Sequence, residues 1–255
     1  MRLLILGGTS EAMQLARLLA ARAQAGHTDI AATLSFAGRT QNPVLPAIDC
    51  RIGGFGGAEG LARYLTETGT NAVIDATHPF AARISANAAI ACRQCGIPRA
   101  TLTRPAWSAA SGDHWVGVDG MAAAAAAIGA APRRVFLTIG ALHLAEFQAA
   151  PQHYYLVRTI DAPAAIRQLP NHQLILARGP FSVADEIKLM RDDAIDTLIT
   201  KNSGAESVAA KLAAARALGT RVIMVERPKL EPGAVFSTAP EAMAWLDSHG
   251  TPPAP

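Results

Sequence analysis

The stretch Arg2-Leu3-Leu4-Ile5-Leu6-Gly7-Gly8-Thr9-Ser10-Glu11-Ala12 decides the fold. A short, almost wholly apolar run ends on two glycines, and Ala, Leu, Arg and Met then recur at helical spacing through residue 23. An apolar run of this length reads as a strand buried on both faces, and the 3.6-residue spacing after it as a helix packed on that strand. Two glycines at the junction let backbone approach a phosphate at the helix N-terminus, and Thr9 and Ser10 add hydroxyls there. The turn departs from the full GxGxxG pattern. A plain tight turn with Ser10 as N-cap and no ligand is the alternative.

Outward from this junction the same unit repeats. Strands are expected over residues 2–6, 30–34, 48–52, 71–74 and 97–102, with helices over 10–23, 58–68 and 80–95 between them. Such alternation implies parallel β-α-β winding. The periodicity lapses through residues 105–119, a stretch with Ser108, Ser111 and Gly112 that suits a crossing segment. It then resumes with strands over 134–139, 154–158, 174–177, 197–200 and 221–225 and helices over 183–191 and 206–218. The chain is therefore read as α/β, with two Rossmann-like, doubly wound parallel-sheet lobes and the active site in the cleft between them. The first lobe spans 1–104, the crossing segment 105–119 and the second lobe 120–248. The Pro-rich tail, 249–255, is expected to be disordered.

Composition excludes several classes. Half of the 255 residues are apolar, so the chain can bury a core in each lobe. The formal charge of +3 is too small an excess to argue for nucleic acid. The Ala-rich stretch 121–131 is too short and too weakly apolar to cross a bilayer. Residues 1–11 lack the long apolar stretch and cleavage site of a signal peptide, so a cytoplasmic location is expected. The cysteines, Cys50, Cys92 and Cys95, are read as free thiols of a reducing compartment. No metal site is expected.

In open parallel sheets ligands gather beyond the carboxyl ends of the strands, which singles out few positions. At the second strand end the chain reads Ser35-Phe36-Ala37-Gly38-Arg39-Thr40, without the carboxylate that usually binds the ribose hydroxyls of NAD. Ser35 and Thr40 can hydrogen-bond a 2′-phosphate and Arg39 can pair with it, which favours NADPH over NADH. A solvated loop arginine is the bland alternative. At the fourth strand end Asp75-Ala76-Thr77-His78-Pro79-Phe80 places Thr77 and His78 where a nicotinamide or substrate could lie, Pro79 shaping the turn. In the second lobe Arg178, Lys201 and Arg227 stand at strand ends, joined by Arg104 from the crossing segment, and together they suit several carboxylates. Asn202, Ser203 and Gly204 continue Lys201 into a loop that opens a helix. The residues alone leave open a reductase or epimerase of another anionic substrate and a non-catalytic NADP(H)-binding sensor.

The ordered set LILGGTSEA, SFAGRT, IGGFGG, DATHPFA, LTRPAW, LTIG, RGPF and TKNSG resembles the precorrin-6A reductases of cobalamin biosynthesis, over about residues 1–228. The resemblance implies that NADPH reduces one double bond of a tetrapyrrole macrocycle carrying several carboxylates, with a monomer expected. It implies cofactor binding by Gly7, Gly8, Thr9, Ser35, Gly38, Arg39 and Thr40, and Ser10 and Thr77 are added to the cofactor set by their place at the turn and the strand end. Substrate contacts fall on His78, Pro79, Arg104, Arg178, Lys201, Asn202, Ser203 and Arg227. The proton would come from His78, from Lys201 or from water.

Overall fold

The computed structural model describes residues 1–38 and 45–250. Arg39 and Thr40 lie outside the described residues, as does most of the expected tail. In chain order the first elements are β1 (Arg2–Leu6), α1 (Ser10–Gln24), β2 (Ala31–Phe36), β3 (Asp49–Ile52), α2 (Gly57–Glu67), β4 (Ala72–Asp75), α3 (Ala82–Cys95) and β5 (Arg99–Leu102). Next come β6 (His114–Val118), α4 (Met121–Ile128), β7 (Arg134–Thr138), a 3-10 segment (Ala141–Ala149), β8 (Tyr154–Thr159), a second 3-10 turn (Ala164–Gln168) and β9 (His172–Leu176). The chain closes with α5 (Val183–Asp192), β10 (Thr197–Lys201), a 3-10 turn (Glu206–Val208), α6 (Ala210–Leu218), β11 (Arg221–Val225), β12 (Ala234–Phe236) and α7 (Ala239–Gly250).

Two compact units result, Met1–Pro105 with Pro228–Pro255, and Ala106–Arg227. The expected boundaries need correction on two points. Residues 114–118, read as part of a crossing segment, form strand β6 of the second sheet, and the chain after Arg227 returns to the first unit instead of completing the second. Among the described residues each sheet has six strands, all pairing in parallel, ordered β12-β5-β4-β1-β2-β3 in the first unit and β6-β11-β10-β7-β8-β9 in the second. Read from β3, the first is the doubly wound order 3-2-1-4-5-6; read from β9, the second follows the same winding over β7 to β11, and its outer place is filled by β6, the earliest of its strands in the chain. The first unit takes its sixth strand from beyond the second unit, and the second takes its own from before its first strand.

The strand that decides the fold is buried on both faces. Leu3 and Ile5 pack with α1 and α7, whereas Leu4 and Leu6 pack with α2 and α3, as the two-residue period of a strand demands. Helix α1 buries Ala12, Leu15, Ala16, Leu19 and Ala20, a stripe at three- and four-residue spacing. Fully burying each of its leucines contributes roughly 1.5–3 kcal/mol. In the second unit Phe136, Leu156, Leu198 and Val222 form the face on which α5 and α6 lie. Winding reverses between β1 and β4 in one sheet and between β7 and β10 in the other, so the carboxyl ends of those strands are where ligands are expected. Among the described residues no helix is long and apolar enough to cross a membrane.

Candidate active site

In the first unit the β1–α1 turn is built for close approach. Gly7 N–H donates to Ser35 O at 2.9 Å, and a Cβ at Gly7 would stand 2.7 Å from Leu34 Cδ1 and 3.3 Å from Ser35 O. Gly8 has φ +125°, a backbone that side chains rarely adopt, and the space where its Cβ would point is open. Thr9, not Ser10, caps α1: its Oγ1 accepts from Ala12 N–H at 3.2 Å and donates to Ala76 O at 2.8 Å. One hydroxyl thereby ties the glycine turn to the turn after β4, across the switch point. Ser10 instead donates to Glu11 Oε2 at 3.1 Å.

Arg104 reaches the same carboxylate, Nη1 to Oε2 at 2.6 Å, with both side chains mostly covered. Part of the positive charge expected for substrate is therefore spent on Glu11. At the end of β2, Ser35 is buried and its Oγ accepts from Arg51 Nη1 at 2.7 Å. Gly38 has φ +75° and lies close to Ile52 Cγ2, which a Cβ would approach to 3.3 Å.

After β4, buried Asp75 accepts through Oδ1 from both Thr77 N–H (3.1 Å) and Thr77 Oγ1 (2.7 Å). Thr77 thus spends its hydroxyl proton on the turn and keeps only acceptor capacity for a ligand. His78 Nδ1 accepts from Phe80 N–H at 3.2 Å, which in the neutral ring puts the proton on Nε2. Its ring tilts against that of Phe80 with centroids 5.9 Å apart. Beside these residues, Asp75, Pro79, Ser85, Arg99 and Thr101 with residues 228–231 line a shallow recess open to solvent.

In the second unit the turn after β10 is held from all sides. Asn202 is buried; its Oδ1 accepts from Trp107 N–H at 2.8 Å, and its Nδ2 donates to Trp107 O at 3.1 Å and Glu226 Oε2 at 3.3 Å. Its own carbonyl accepts from Arg227 Nε at 2.7 Å. Its amide is therefore committed to the protein, so it clasps the turn where a substrate contact was expected. Ser203 is buried next to it and its Oγ accepts from Ala205 N–H at 3.5 Å. Lys201 is half-buried at the strand end and Arg178 is exposed after β9. The loop does not open directly into a helix: the 3-10 turn Glu206–Val208 intervenes before α6. Gly179 packs there, since a Cβ on it would meet Ser207 O at 2.8 Å.

Behind this edge lies a buried charge cluster that sequence reading missed. Arg158 pairs with Glu186 through both carboxylate oxygens, and its guanidinium carbon stands 3.8 Å from the Phe181 ring centroid. Lys211, 3% exposed, donates to Val208 O at 2.8 Å and lies 5.1 Å from the Trp107 ring. Burial, then repulsion by Arg158, pushes the Lys211 ammonium down to about 7, with Glu186 opposing. An arginine inside the apolar strand YYLVRT was the one legible signal of this cluster. Arg51 was missed as well, because its neighbours are set by strand pairing.

Comparison with known proteins decides the family. The model described as Precorrin-6x reductase CbiJ/CobK matches residues 2–247. The chain belongs to this reductase family. Within it, the chain is 47% identical over 252 residues to a precorrin-6A reductase of Rhodobacter capsulatus, covering 99% of this chain and 98% of that one. It is 42% identical to a precorrin-6A reductase of Mycobacterium tuberculosis, with 96% and 97% covered, and 30% identical to a cobalt-precorrin-6A reductase of Priestia megaterium with the same coverage. A solved structure described as CobK precorrin-6A reductase superposes with a TM-score of 0.89 at 47% identity, over 99% of this chain and 98% of that one. The doubly wound pair of sheets described above is thus the fold of the family.

Proposed function

We propose that this protein is an NADPH-dependent precorrin-6A reductase of cobalamin biosynthesis, with the dinucleotide bound by the first unit and substrate carboxylates engaged by the second. The observation that carries the reading is the β1–α1 turn. A Cβ at Gly7 would press on Leu34 Cδ1, Gly8 needs its positive φ, and Thr9 locks the turn to the β4 edge, a cradle that fits a pyrophosphate at the α1 N-terminus. When bound, NADPH supplies the hydride that, with one proton, converts a carbon–carbon double bond to CH–CH and leaves NADP+.

The chain's own residues contribute mainly positioning. Gly7, Gly8, Thr9 and Ser10 accommodate the pyrophosphate, and Ser35, Gly38, Arg39 and Thr40 shape the adenosine end. Thr77 and Pro79 shape the turn after β4. Arg178, Lys201 and Arg227 hold carboxylates, and Asn202 and Ser203 fix the turn that presents Lys201. His78 holds a proton on Nε2 because Phe80 N–H occupies Nδ1. The relatives at 47% and 42% identity are precorrin-6A reductases and the one at 30% is a cobalt-precorrin-6A reductase, which supports precorrin-6A over its cobalt form.

The test is anaerobic mixing of the protein with NADPH and precorrin-6A while following reduced-nicotinamide absorbance and the tetrapyrrole spectrum together. Substrate-dependent oxidation of NADPH is expected. Tight NADPH binding without turnover would overturn the reading.

A further inference from the structure

Arg51 on β3 is the direct ladder partner of Ser35 on β2. Its Nη1 donates to Ser35 Oγ (2.7 Å) and Gly53 O (3.1 Å), and its Nη2 to Gly54 O (3.2 Å). The guanidinium carbon lies 3.9 Å from the Phe55 ring centroid and 5.1 Å from that of Tyr64, so stacking holds the plane that the hydrogen bonds orient. Among the described residues no carboxylate pairs with it. Three of the five guanidinium donors are used, and two remain for a further acceptor. A fixed, uncompensated guanidinium is prepared for an anion from outside the chain.

The place matters as much as the charge. In this strand order the end of the second strand faces the 2′ position of the adenosine ribose, where an arginine accommodates a 2′-phosphate. The IGGFGG stretch supplies the geometry: Gly53, at φ +128°, and Gly54 turn their carbonyls back onto the arginine. Phe55 then lies against it.

We propose that Arg51, braced by Ser35 and the Gly53 and Gly54 carbonyls, forms a phosphomonoester subsite that selects a 2′-phosphorylated adenine nucleotide. The proposal rests on the reading of the first unit as an NADPH site and adds to it a selecting residue distinct from Arg39. Ser35 then acts through Arg51, its hydroxyl accepting from the guanidinium.

The experiment is calorimetric titration of the full chain with 2′,5′-ADP and 5′-AMP as probes, and with NADPH and NADH, for the native protein, Arg51→Lys and Arg51→Met. Arg51→Met should weaken 2′,5′-ADP and NADPH by roughly ten- to hundredfold, the size of a charge-assisted hydrogen bond, and leave 5′-AMP and NADH within about twofold. Arg51→Lys should fall between, keeping the charge and losing the fork. If the native protein prefers 2′,5′-ADP and both variants keep that preference, the Arg51 assignment is overturned while the NADPH reading stands. If the native protein itself does not discriminate, the NADPH reading fails and takes this subsite with it. Equal loss of all four ligands would mark Arg51 as a structural brace and also overturn the proposal.

Discussion

Lys211 carries a cost that its surroundings make measurable. Its folded value of about 7 lies below the 10.5 of a free lysine because burial and Arg158 disfavour the ammonium. Between those values the unfolded chain holds a proton that the folded chain has released, so unfolding takes up a proton and stability rises with pH, by up to about 1.4 kcal/mol per pH unit. Below about 7 both states are protonated and the full cost is present. Lys211→Met should therefore be more stable than the native protein near pH 7, by on the order of a few kcal/mol less the lost bond to Val208 O. The gap should close toward pH 10. Urea midpoints of both proteins across that range check it, and parallel curves would show that another group carries the dependence. Thr9 makes the opposite case. Thr9→Ala removes the cap on Ala12 N–H and the tie to Ala76 O together, and should cost about 1–2 kcal/mol and weaken dinucleotide binding. Thr9→Ser should keep both, as thermal unfolding with and without NADPH would record.

At the scale of elements, the turn after β10 divides its labour. Asn202 clasps Trp107 and Glu226 within the unit, and Lys201 stands half-buried at the strand end. On the proposed role of Lys201 as a holder of a substrate carboxylate, Lys201→Ala should raise the tetrapyrrole KM about tenfold or more while sparing the NADPH dissociation constant, because the first unit is untouched. Equal loss of both ligands would refute this division. The sequence could be read for β1 and α1 because these are buried on a regular period, and β1 and β11 match their expected limits. It could not be read for β6 or β12. The first, HWVGV, is a half-exposed edge strand in a Gly- and Ser-containing stretch, and the second is three residues long, so neither carries the apolar run that marks an interior strand. Site residues divide along the same line. The glycine turn at Gly7 and Gly8 was legible because it directly joins a strand to a helix in the sequence, whereas the tie of Thr9 to Ala76 O and the partners of Arg51, Arg158, Glu186 and Lys211 lie 16 to 67 residues away.

The whole molecule repeats one five-strand winding twice, and the two copies differ in how the chain supplies the outer strand. The second unit is continuous, Ala106–Arg227, and holds all six of its strands. The first is completed only by the return segment. There β12 pairs with β5, α7 buries Ala239, Ala242 and Leu246 in the core that also holds Leu3 and Ile5, and Arg22 binds Asp247 at 2.6 Å. Deleting the chain after Arg227 removes that outer strand and uncovers the face of β1 and β4 on which α7 packs. Three buried apolar side chains lost at once cost several kcal/mol by area alone, a large fraction of the stability of a domain this size. A chain ending at Arg227 should therefore show one cooperative transition, from the second unit, with the first unit unfolded and unable to bind NADPH. Residues 106–227 expressed alone should unfold at that same midpoint. Calorimetry of the three chains tests this, and NADPH binding retained by the shortened chain would show that β1 to β5 form a sufficient unit without the returning strand and helix.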